Sequence, residues 1–438
     1  MKDISNGTAI YWLRRDLRLH DNHALYQALR SELPVIPIFI FDRNILEELP
    51  RDDARVTFIH DTLNTLKQDL SKHGSDLKVY YGDPIEIYKE ILSAYQVKVI
   101  YSNRDYEPYA LTRDKKVRRL IEAEGGAYYD YKDHVITDRR EILSNSDKPY
   151  TVFTPYKKKW LARLEEHGIQ QYPSEQKLDH LAKLDRQPII TLDEMGFTRS
   201  SMSIPELTVA QGVIKNYDKT RDYPGIHNGT SRLGIHFRFG TISIREKALK
   251  AQQLNATFLS ELIWRDFYSQ IIYNFPHVVD SAFRAKYDTI SWRTDESDLQ
   301  AWKDGKTGYP MVDAGMRELN ATGHMHNRVR MVTASFLTKH LLINWRMGEA
   351  YFAEKLLDFD LASNNGGWQW ASGSGTDAAP YFRIFNPTSQ LHKFDKNLIY
   401  VKKWIPEYGT DAYPEPIVDH KYARQRCLDT YKAVLNNS

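Results

Sequence analysis

Residues 8–41 read TAIYWLRRDLRLHDNHALYQALRSELPVIPIFIF. Two short apolar runs, residues 9–13 and 35–41, flank a segment that opens with Asp21 and Asn22 and stays helix-compatible through Leu29. Short apolar runs bounded by polar residues predict buried strands, and Asp or Asn ahead of a helical segment is a favoured N-cap. The stretch therefore predicts strand, helix, strand. The same alternation continues outward. Val56, Ile59, Leu63, Leu66 and Leu70 recur at three and four and stop at Gly74, which predicts a helix. Residues 77–81 form a third apolar run, and Pro84 opens another helix. A fourth strand at 97–101, a helix over about 111–124 closed by Gly125 and Gly126, and a fifth strand at 127–131 complete the pattern. Strands separated by single helices predict an α/β domain over residues 1–131, built on a doubly wound parallel sheet.

No G-x-G-x-x-G follows the first strand, so the usual dinucleotide fingerprint is absent. The strand runs instead into Leu13-Arg14-Arg15-Asp16-Leu17-Arg18, whose charges predict a structural turn. Beyond residue 131 the alternation stops. Residues 132–205 read as an interdomain connector, with a loop at 144–149 and a short basic helix at Tyr156-Lys157-Lys158-Lys159-Trp160. That basic cluster is either a solvated face or a phosphate contact. Residues 206–438 read as all-α. Stripes fall at Phe258, Leu262, Trp264 and Phe267, at Met311, Ala314, Met316 and Leu319, and at Val332, Phe336, Leu341 and Leu342.

The 438 residues are 42% hydrophobic and 27% charged, which suits a soluble globular chain with a core to bury. Cys427 is the single cysteine, so a disulfide framework and a Cys-based metal site within one chain are excluded. The opening MKDISNGTAIYWL lacks the apolar core of a signal peptide, and no run of about 20 apolar residues predicts a membrane span. A net charge of +3 permits a polyanionic partner only where positive charge is clustered. The 28 tyrosines and nine tryptophans suit stacking on flat ligands as well as ordinary cores.

Five groups of residues carry chemistry. Residues 358–387, DFDLASNNGGWQWASGSGTDAAPYFRIFNP, show no regular period. Their density of glycine, aromatic and unpaired polar residues fits either close backbone approach to a ligand or a well-packed loop. Tyr217 precedes Thr230-Ser231-Arg232-Leu233-Gly234, whose hydroxyls and N–H groups make either a phosphate site or a plain N-cap. In FLSELIWRDFY at 258–268, Glu261 and Trp264 share a helix face and Arg265 is adjacent. The alternative there is one buried Trp among exposed charges. GYPMVDAGMR at 308–317 and MHNRVRM at 325–331 read on their own as core helix with solvated arginines. Trp292, Trp345 and Trp368 read on their own as core tryptophans.

Taken together and in this order, these motifs resemble those of the DNA photolyase/cryptochrome family, in the form of class I cyclobutane pyrimidine dimer (CPD) photolyases. The resemblance runs from the LRRDLR turn to the FRIFNP run and so covers nearly the whole chain. It implies an all-α C-terminal FAD-binding domain over 206–438. It also implies a lyase that uses light and FAD, active as FADH⁻, to split CPDs in UV-damaged DNA. By the same resemblance, Tyr217, Thr230, Ser231, Arg232, Leu233 and Arg265 hold the FAD, chiefly its phosphates. Arg330 pairs with Asp358 beside the isoalloxazine ring, Asp360 serves the ribityl or adenine side, and Asn364 faces flavin N5. A neutral amide there suits an anionic reduced flavin, whereas a carboxylate would favour a proton at N5. Glu261 hydrogen-bonds the dimer and stabilises its radical anion, Asn327 touches both flavin and dimer, and Met331 packs on the dimer. Trp264 and Trp370 clamp the dimer, while Arg328 and Arg383 reach DNA phosphates. Trp368, Trp345 and Trp292 form an electron-transfer chain; Trp302 and Trp404 receive no role.

A folate antenna calls for a glutamate where Ala110 stands and a Cys-Lys pair where Val278-Val279 stand, so folate is not expected. Asp105 in DYEPY at 105–109 resembles the deazaflavin-type members, which leaves a deazaflavin or flavin antenna, or none. Three other readings remain: a cryptochrome-type photoreceptor, a (6-4) photolyase, and a nucleotide-binding α/β protein with an unrelated helical domain. Asn364, the Trp264 and Trp370 pair and the short segment after Pro406 argue against the photoreceptor. His326 belongs to the shared MHNR motif and does not discriminate the (6-4) enzyme. The expected context is cytoplasmic and monomeric, with damaged DNA as partner, no membrane and no metal.

Overall fold

In the computed structural model, which describes residues 7–436, strands form where the apolar runs fall. The order is β1 (Thr8–Leu13), α1 (His23–Arg30), β2 (Val35–Asp42), α2 (Ala54–Ser71), β3 (Lys78–Gly82), α3 (Pro84–Ala94), β4 (Val97–Asn103), α4 (Pro108–Ala123) and β5 (Ala127–Tyr131). All four pairings are parallel and the sheet order is β3-β2-β1-β4-β5. The central strands β1 and β2 are buried along their whole length, as parallel strands covered by helices on both faces must be. One face packs Leu25, Leu29, Leu63 and Leu70; the other packs Tyr88, Ile91, Val117 and Ile121.

The cap of α1 sits where the sequence places it, and α3 has one of its own. The Asn22 side chain accepts from the Leu25 N–H, and Asp83 accepts from Ile85 and Glu86 N–H just ahead of Pro84. The charged turn after β1 is structural. Asp16 accepts from the Tyr11 hydroxyl at 2.7 Å and from Asn103 Nδ2 at 2.6 Å, and Arg18 is paired with buried Asp133 at 2.7 Å.

The chain divides into two compact units. The sheet unit runs up to Ile142 and adds Trp160–Leu207 and Leu233–Gln253; the helical unit comprises Leu143–Lys159, Thr208–Arg232 and the chain from Leu254. Residues 132–205, read as one connector, are therefore shared between the two units. They contain the helix Phe153–His167 and a 3₁₀ turn at Ser174–His180.

The helical unit has no strand among its described residues. Its framework is α5 (Ala256–Asn274), α6 (Pro310–Thr322), α7 (Asn327–Ser335), α8 (Trp345–Lys355), α9 (Leu361–Ser372) and α10 (His420–Asn436). Trp302, Met311, Met316, Leu319, Phe336 and Leu337 centre its core. The aperiodic stretch at 358–387 is not simply a loop, because its first part is α9. Asp360 caps that helix, accepting from Ser363 N–H, and Gly373 closes it at φ +87°. The apolar period is missing because its buried face carries Asn364, Asn365, Gln369 and Ser372 beside Trp368. These amides meet polar partners instead of an apolar core: Asn365 Nδ2 and Gln369 Nε2 both donate to the Val278 carbonyl, at 3.0 and 2.9 Å.

Candidate functional site

A cavity of about 460 Å³ opens within the helical unit, in the size range of ligand pockets. Helix α5 supplies Glu261, Trp264, Arg265 and Tyr268 to its wall, and α7 supplies Asn327, Arg330 and Met331. Asp358 and Asp360 line it from the turn before α9, and α9 adds Asn364, Gly367, Trp368 and Trp370. Eleven residues that the sequence reading drew from separate motifs thus share one cavity with their helical neighbours.

Arg330 spans its α7 turn to donate from Nε to the Met325 carbonyl at 2.7 Å, and from Nη2 to both Asp358 oxygens at 2.9 and 3.0 Å. This pair presents a fixed charge-assisted edge to the cavity. Asn364 is buried and donates from Nδ2 to the Glu349 carbonyl at 3.1 Å, which leaves Oδ1 without a hydrogen bond among the described residues. An amide oxygen open to a cavity can accept from a ligand donor. Gly367 points in the same direction: among the described residues, a Cβ built there meets nothing within 4 Å beyond its own stretch of helix backbone. One turn of α9 thus offers bare backbone and a vacant acceptor to whatever fills the cavity.

Aromatic rings also line the cavity. Trp264 stacks on Phe153 with centroids 3.6 Å apart and planes 6° apart, and Phe267 meets it edge-on at 5.5 Å. Its ring is therefore held flat by the protein behind it. Glu261 is engaged by the Arg221 guanidinium. Burial nevertheless pushes the Glu261 carboxyl above the ordinary range, against the pull of Arg221. Trp370 lies 6.4 Å from Phe385.

Other expected residues lie off the cavity lining. Tyr217 meets Phe258 edge-on at 5.1 Å, and burial raises its hydroxyl to about 12. Thr230, Ser231, Arg232 and Leu233 lead into the helix Gly234–Phe239; Arg232 takes φ +51° and lies 3.9 Å from the Glu318 carboxylate. Arg328 pairs with Asp222 at 2.8 Å and covers the Phe394 ring at 4.3 Å. Arg383 is exposed, and its carbonyl accepts from buried Lys339 at 3.1 Å. Of the three tryptophans, Trp368 is 2% exposed at the cavity, Trp345 is buried under the Arg346 guanidinium at 5.4 Å, and Trp292 meets Tyr431 edge-on at 6.3 Å. In the sheet unit, Asp105 is buried; it accepts from Tyr106 N–H at 2.7 Å and pairs with Arg15 at 3.2 Å.

Sequence reasoning passed over Arg221, Tyr268 and Glu349. Each stands four residues after a residue it did single out (Tyr217, Trp264 and Trp345), so helical spacing was the available signal. Glu349 is the most consequential. Its backbone carbonyl fixes Asn364, its carboxyl accepts from Asn365 Nδ2 at 3.0 Å, and burial raises its pKa to about 7.

Residues 9–176 match the DNA photolyase family, and residues 258–411 match the FAD binding domain of DNA photolyase. The chain is 37% identical to the deoxyribodipyrimidine photo-lyase of Halobacterium salinarum, over 97% of this chain and 98% of that protein. It is 38% identical to that of Escherichia coli, over the same shares. Among solved structures it resembles a bacterial class III photolyase from Agrobacterium tumefaciens (TM-score 0.87, 32% identity, 98% of both chains). It also resembles an archaeal photolyase from Sulfolobus tokodaii with two FAD molecules (TM-score 0.83, 33% identity, 97% of this chain and 100% of the other).

Proposed function

Since this chain belongs to the DNA photolyase family, with its FAD-binding domain in the helical unit, we propose that it splits cyclobutane pyrimidine dimers in DNA under blue or near-UV light. One observation carries the reading. A single cavity joins a flavin-type wall (Arg330, Asp358, Asp360, Asn364, Gly367) to a dimer-type wall (Glu261, Trp264, Met331, Trp370). When bound as FADH⁻, FAD supplies one photoexcited electron to the dimer and recovers it after both intradimer bonds split.

The protein's part is positioning and proton control. The Arg330–Asp358 pair is set to hold the polar edge of the isoalloxazine. Asn364, with Nδ2 committed to Glu349, turns an acceptor and no negative charge toward it, which suits an anionic reduced ring. Tyr217, Thr230, Ser231, Arg232, Leu233 and Arg265 are assigned to the phosphate side, and Asn327 to contact with both flavin and dimer. Burial favours the neutral form of the Glu261 carboxyl, the form that can donate to a base carbonyl whose charge grows as the electron arrives. Trp264, immobilised by Phe153, and Trp370 give the flat bases apolar walls that exclude water.

Photolyases are among the enzymes known to extrude their target base from the duplex, at a few kcal/mol least costly for damaged pairs. Exposed Arg383 and the half-buried Arg328 then serve the phosphates, so affinity falls with salt. His326 does not favour the (6-4) lesion. It is buried off the cavity lining, its Nδ1 accepts from Arg328 N–H at 3.1 Å, and burial lowers it to about 4. The class I assignment and the order Trp368, Trp345, Trp292 for electron supply rest on the motifs. A second chromophore is assigned to the flavin or deazaflavin type rather than folate, and the Sulfolobus tokodaii relative with two FAD molecules supports this.

Among the described residues no helix is long and apolar enough to cross a membrane. A monomer acting on DNA in the cytoplasm completes the reading. The test is photoreduced protein mixed with an oligonucleotide carrying one defined CPD. Dimer loss in light and none in darkness supports the proposal. Bound flavin without repair points to a photoreceptor, or to the (6-4) lesion when that substrate is repaired instead.

A further inference from the structure

The turn that carries Arg383 is held from behind by groups to which the motifs give no role. Phe382, 60% exposed, and Arg383 face solvent. Their neighbours Tyr381 and Ile384 pack inward on the buried cluster of Leu342, Cys427 and Tyr431. Helix α10 supplies Tyr431, whose ring stacks on Tyr381 with centroids 5.8 Å and planes 8° apart, and whose hydroxyl donates to the Ser372 carbonyl at 2.8 Å. A π-helical turn, Phe336–His340, follows α7, with the Leu341 N–H donating to the Phe336 carbonyl at 3.0 Å. Such turns are frequent at functional sites. Lys339 belongs to it, is 1% exposed, and donates from Nζ to the Arg383 carbonyl at 3.1 Å. Among the described residues this ammonium has no other hydrogen bond and no carboxylate within ion-pairing distance. Buried charges are ordinarily paired, because an unanswered one is costly.

Resting on the assignment of Arg383 to DNA phosphate above, we infer that Lys339 is the positioning residue of that contact: it pins the turn so that Arg383 faces the strand, and the bound phosphate answers its otherwise unpaired charge. Lys339 acts through the Arg383 carbonyl and through its field, from inside the protein. The charge is loosely held. Burial lowers Lys339 to about 8, and the Arg383 charge adds to the fall. From α10, Cys427 faces it as a thiol that burial raises to about 12, and Arg426 donates to the His340 carbonyl at 2.6 Å. His340, on the same turn as Lys339 and 2.8 Å from the His420 ring nitrogen, is lowered by burial to about 3. Neither the thiol nor the His340 imidazole titrates between pH 7 and 9. A phosphate beside Arg383 favours the charged form of Lys339, so binding takes up a proton wherever the free protein has lost one. Affinity is therefore greatest below pH 8 and falls above it, by at most about tenfold per pH unit.

The test is the dark Kd of FAD-loaded protein for an oligonucleotide carrying one CPD, read by fluorescence anisotropy from pH 7 to 9 and at several salt concentrations. Wild-type protein should bind several-fold more weakly at pH 9 than at pH 7. Lys339→Arg, whose charge is permanent, should keep the affinity seen at pH 7 and lose the pH dependence. Lys339→Met should bind weakly at both ends and lose about 0.9 from the slope of log K against log salt, as the loss of one phosphate contact does. Arg383→Ala changes only an exposed side chain, so this arm stands even where the buried variants fail to fold. Its Kd should be flat across the same pH range, and adding Lys339→Met should weaken it no further. The inference is overturned if Arg383→Ala weakens binding yet keeps the wild-type pH dependence, if Lys339→Met binds as wild type does, or if the losses of the two variants add. Arg383→Ala that binds as tightly as wild type overturns the assignment of Arg383 itself, and the role of Lys339 with it.

Discussion

Gly367→Ala separates what the fold needs from what the cofactor needs. Gly367 lies inside α9, where glycine is less favourable than alanine by about 1 kcal/mol. Among the described residues, a Cβ there meets nothing within 4 Å beyond its own stretch of helix backbone, so no clash offsets that gain. The flavin-free variant should therefore be more stable by roughly 1 kcal/mol, a rise of about 2–4 °C in Tm for a cooperative unit near 200 residues. Yet Gly367 lines the cavity, and the added methyl would occupy space assigned to the flavin. Overpacking of a filled site costs about 1–3 kcal/mol, which weakens FAD binding roughly 5- to 140-fold. The assay is thermal unfolding with and without FAD, together with the flavin-to-protein absorbance ratio after purification. Gly348→Ala is the control: its Cβ falls 2.1 Å from Trp368 Cη2, so that variant should lose stability even without flavin. If Gly367→Ala gains stability and still holds a full complement of FAD, the flavin does not approach this turn of α9 and the assignment of the wall is wrong.

Glu349, with a folded pKa of about 7 against an ordinary 4.5, binds a proton that the unfolded chain has released. Stability therefore falls as pH rises from about 4.5 to 7, by on the order of 3 kcal/mol in all, and Glu349→Gln should flatten that slope in urea titrations at several pH values. An unchanged slope would place the proton elsewhere. Glu261→Ala should lower the repair yield per photon while flavin stays bound; equal yields would remove Glu261 from the chemistry. Trp370→Ala removes one flat wall and, at about 1–3 kcal/mol per stacked base, should weaken binding to CPD-containing DNA several-fold or more. Titration by fluorescence anisotropy checks this, and an unchanged Kd would dissociate Trp370 from the lesion.

The sheet was legible almost residue by residue because each of its signals is local. An apolar run of five, an Asn22 cap, a proline helix start at Pro84 and a glycine stop need no tertiary context, and the predicted strand at 127–131 is β5 as observed. The cavity was legible through another channel, since Glu261, Arg330, Asp358, Asn364 and Trp370 come from motifs whose spacing is meaningful only as a set. What escaped shares one physical cause. Helix α9 has no apolar stripe because its buried face is made of amides that satisfy one another and the carbonyls of Val278 and Glu349. Glu349 reads as an ordinary surface charge until α8 and α9 pack together and bury it.

A pattern of hydrophobicity reports which faces are dry; it is blind to a face that is dry and polar. A flavin site requires such a face, because the cofactor's edge needs donors and acceptors held out of water. The aperiodicity that hid α9 as a helix thus has the same origin as its aptitude for the ligand. Replacing Asn365, which lies beyond the cavity lining but is hydrogen-bonded to Glu349 and Gln369, with leucine would give α9 a more regular stripe. It would also leave the Glu349 carboxyl buried without its donor, at a cost of about 1–3 kcal/mol. Asn365→Leu should therefore lower Tm and loosen the hold on Asn364 despite its better apolar period. A variant as stable as the parent would show that packing, not satisfaction of the amides, holds this wall in place.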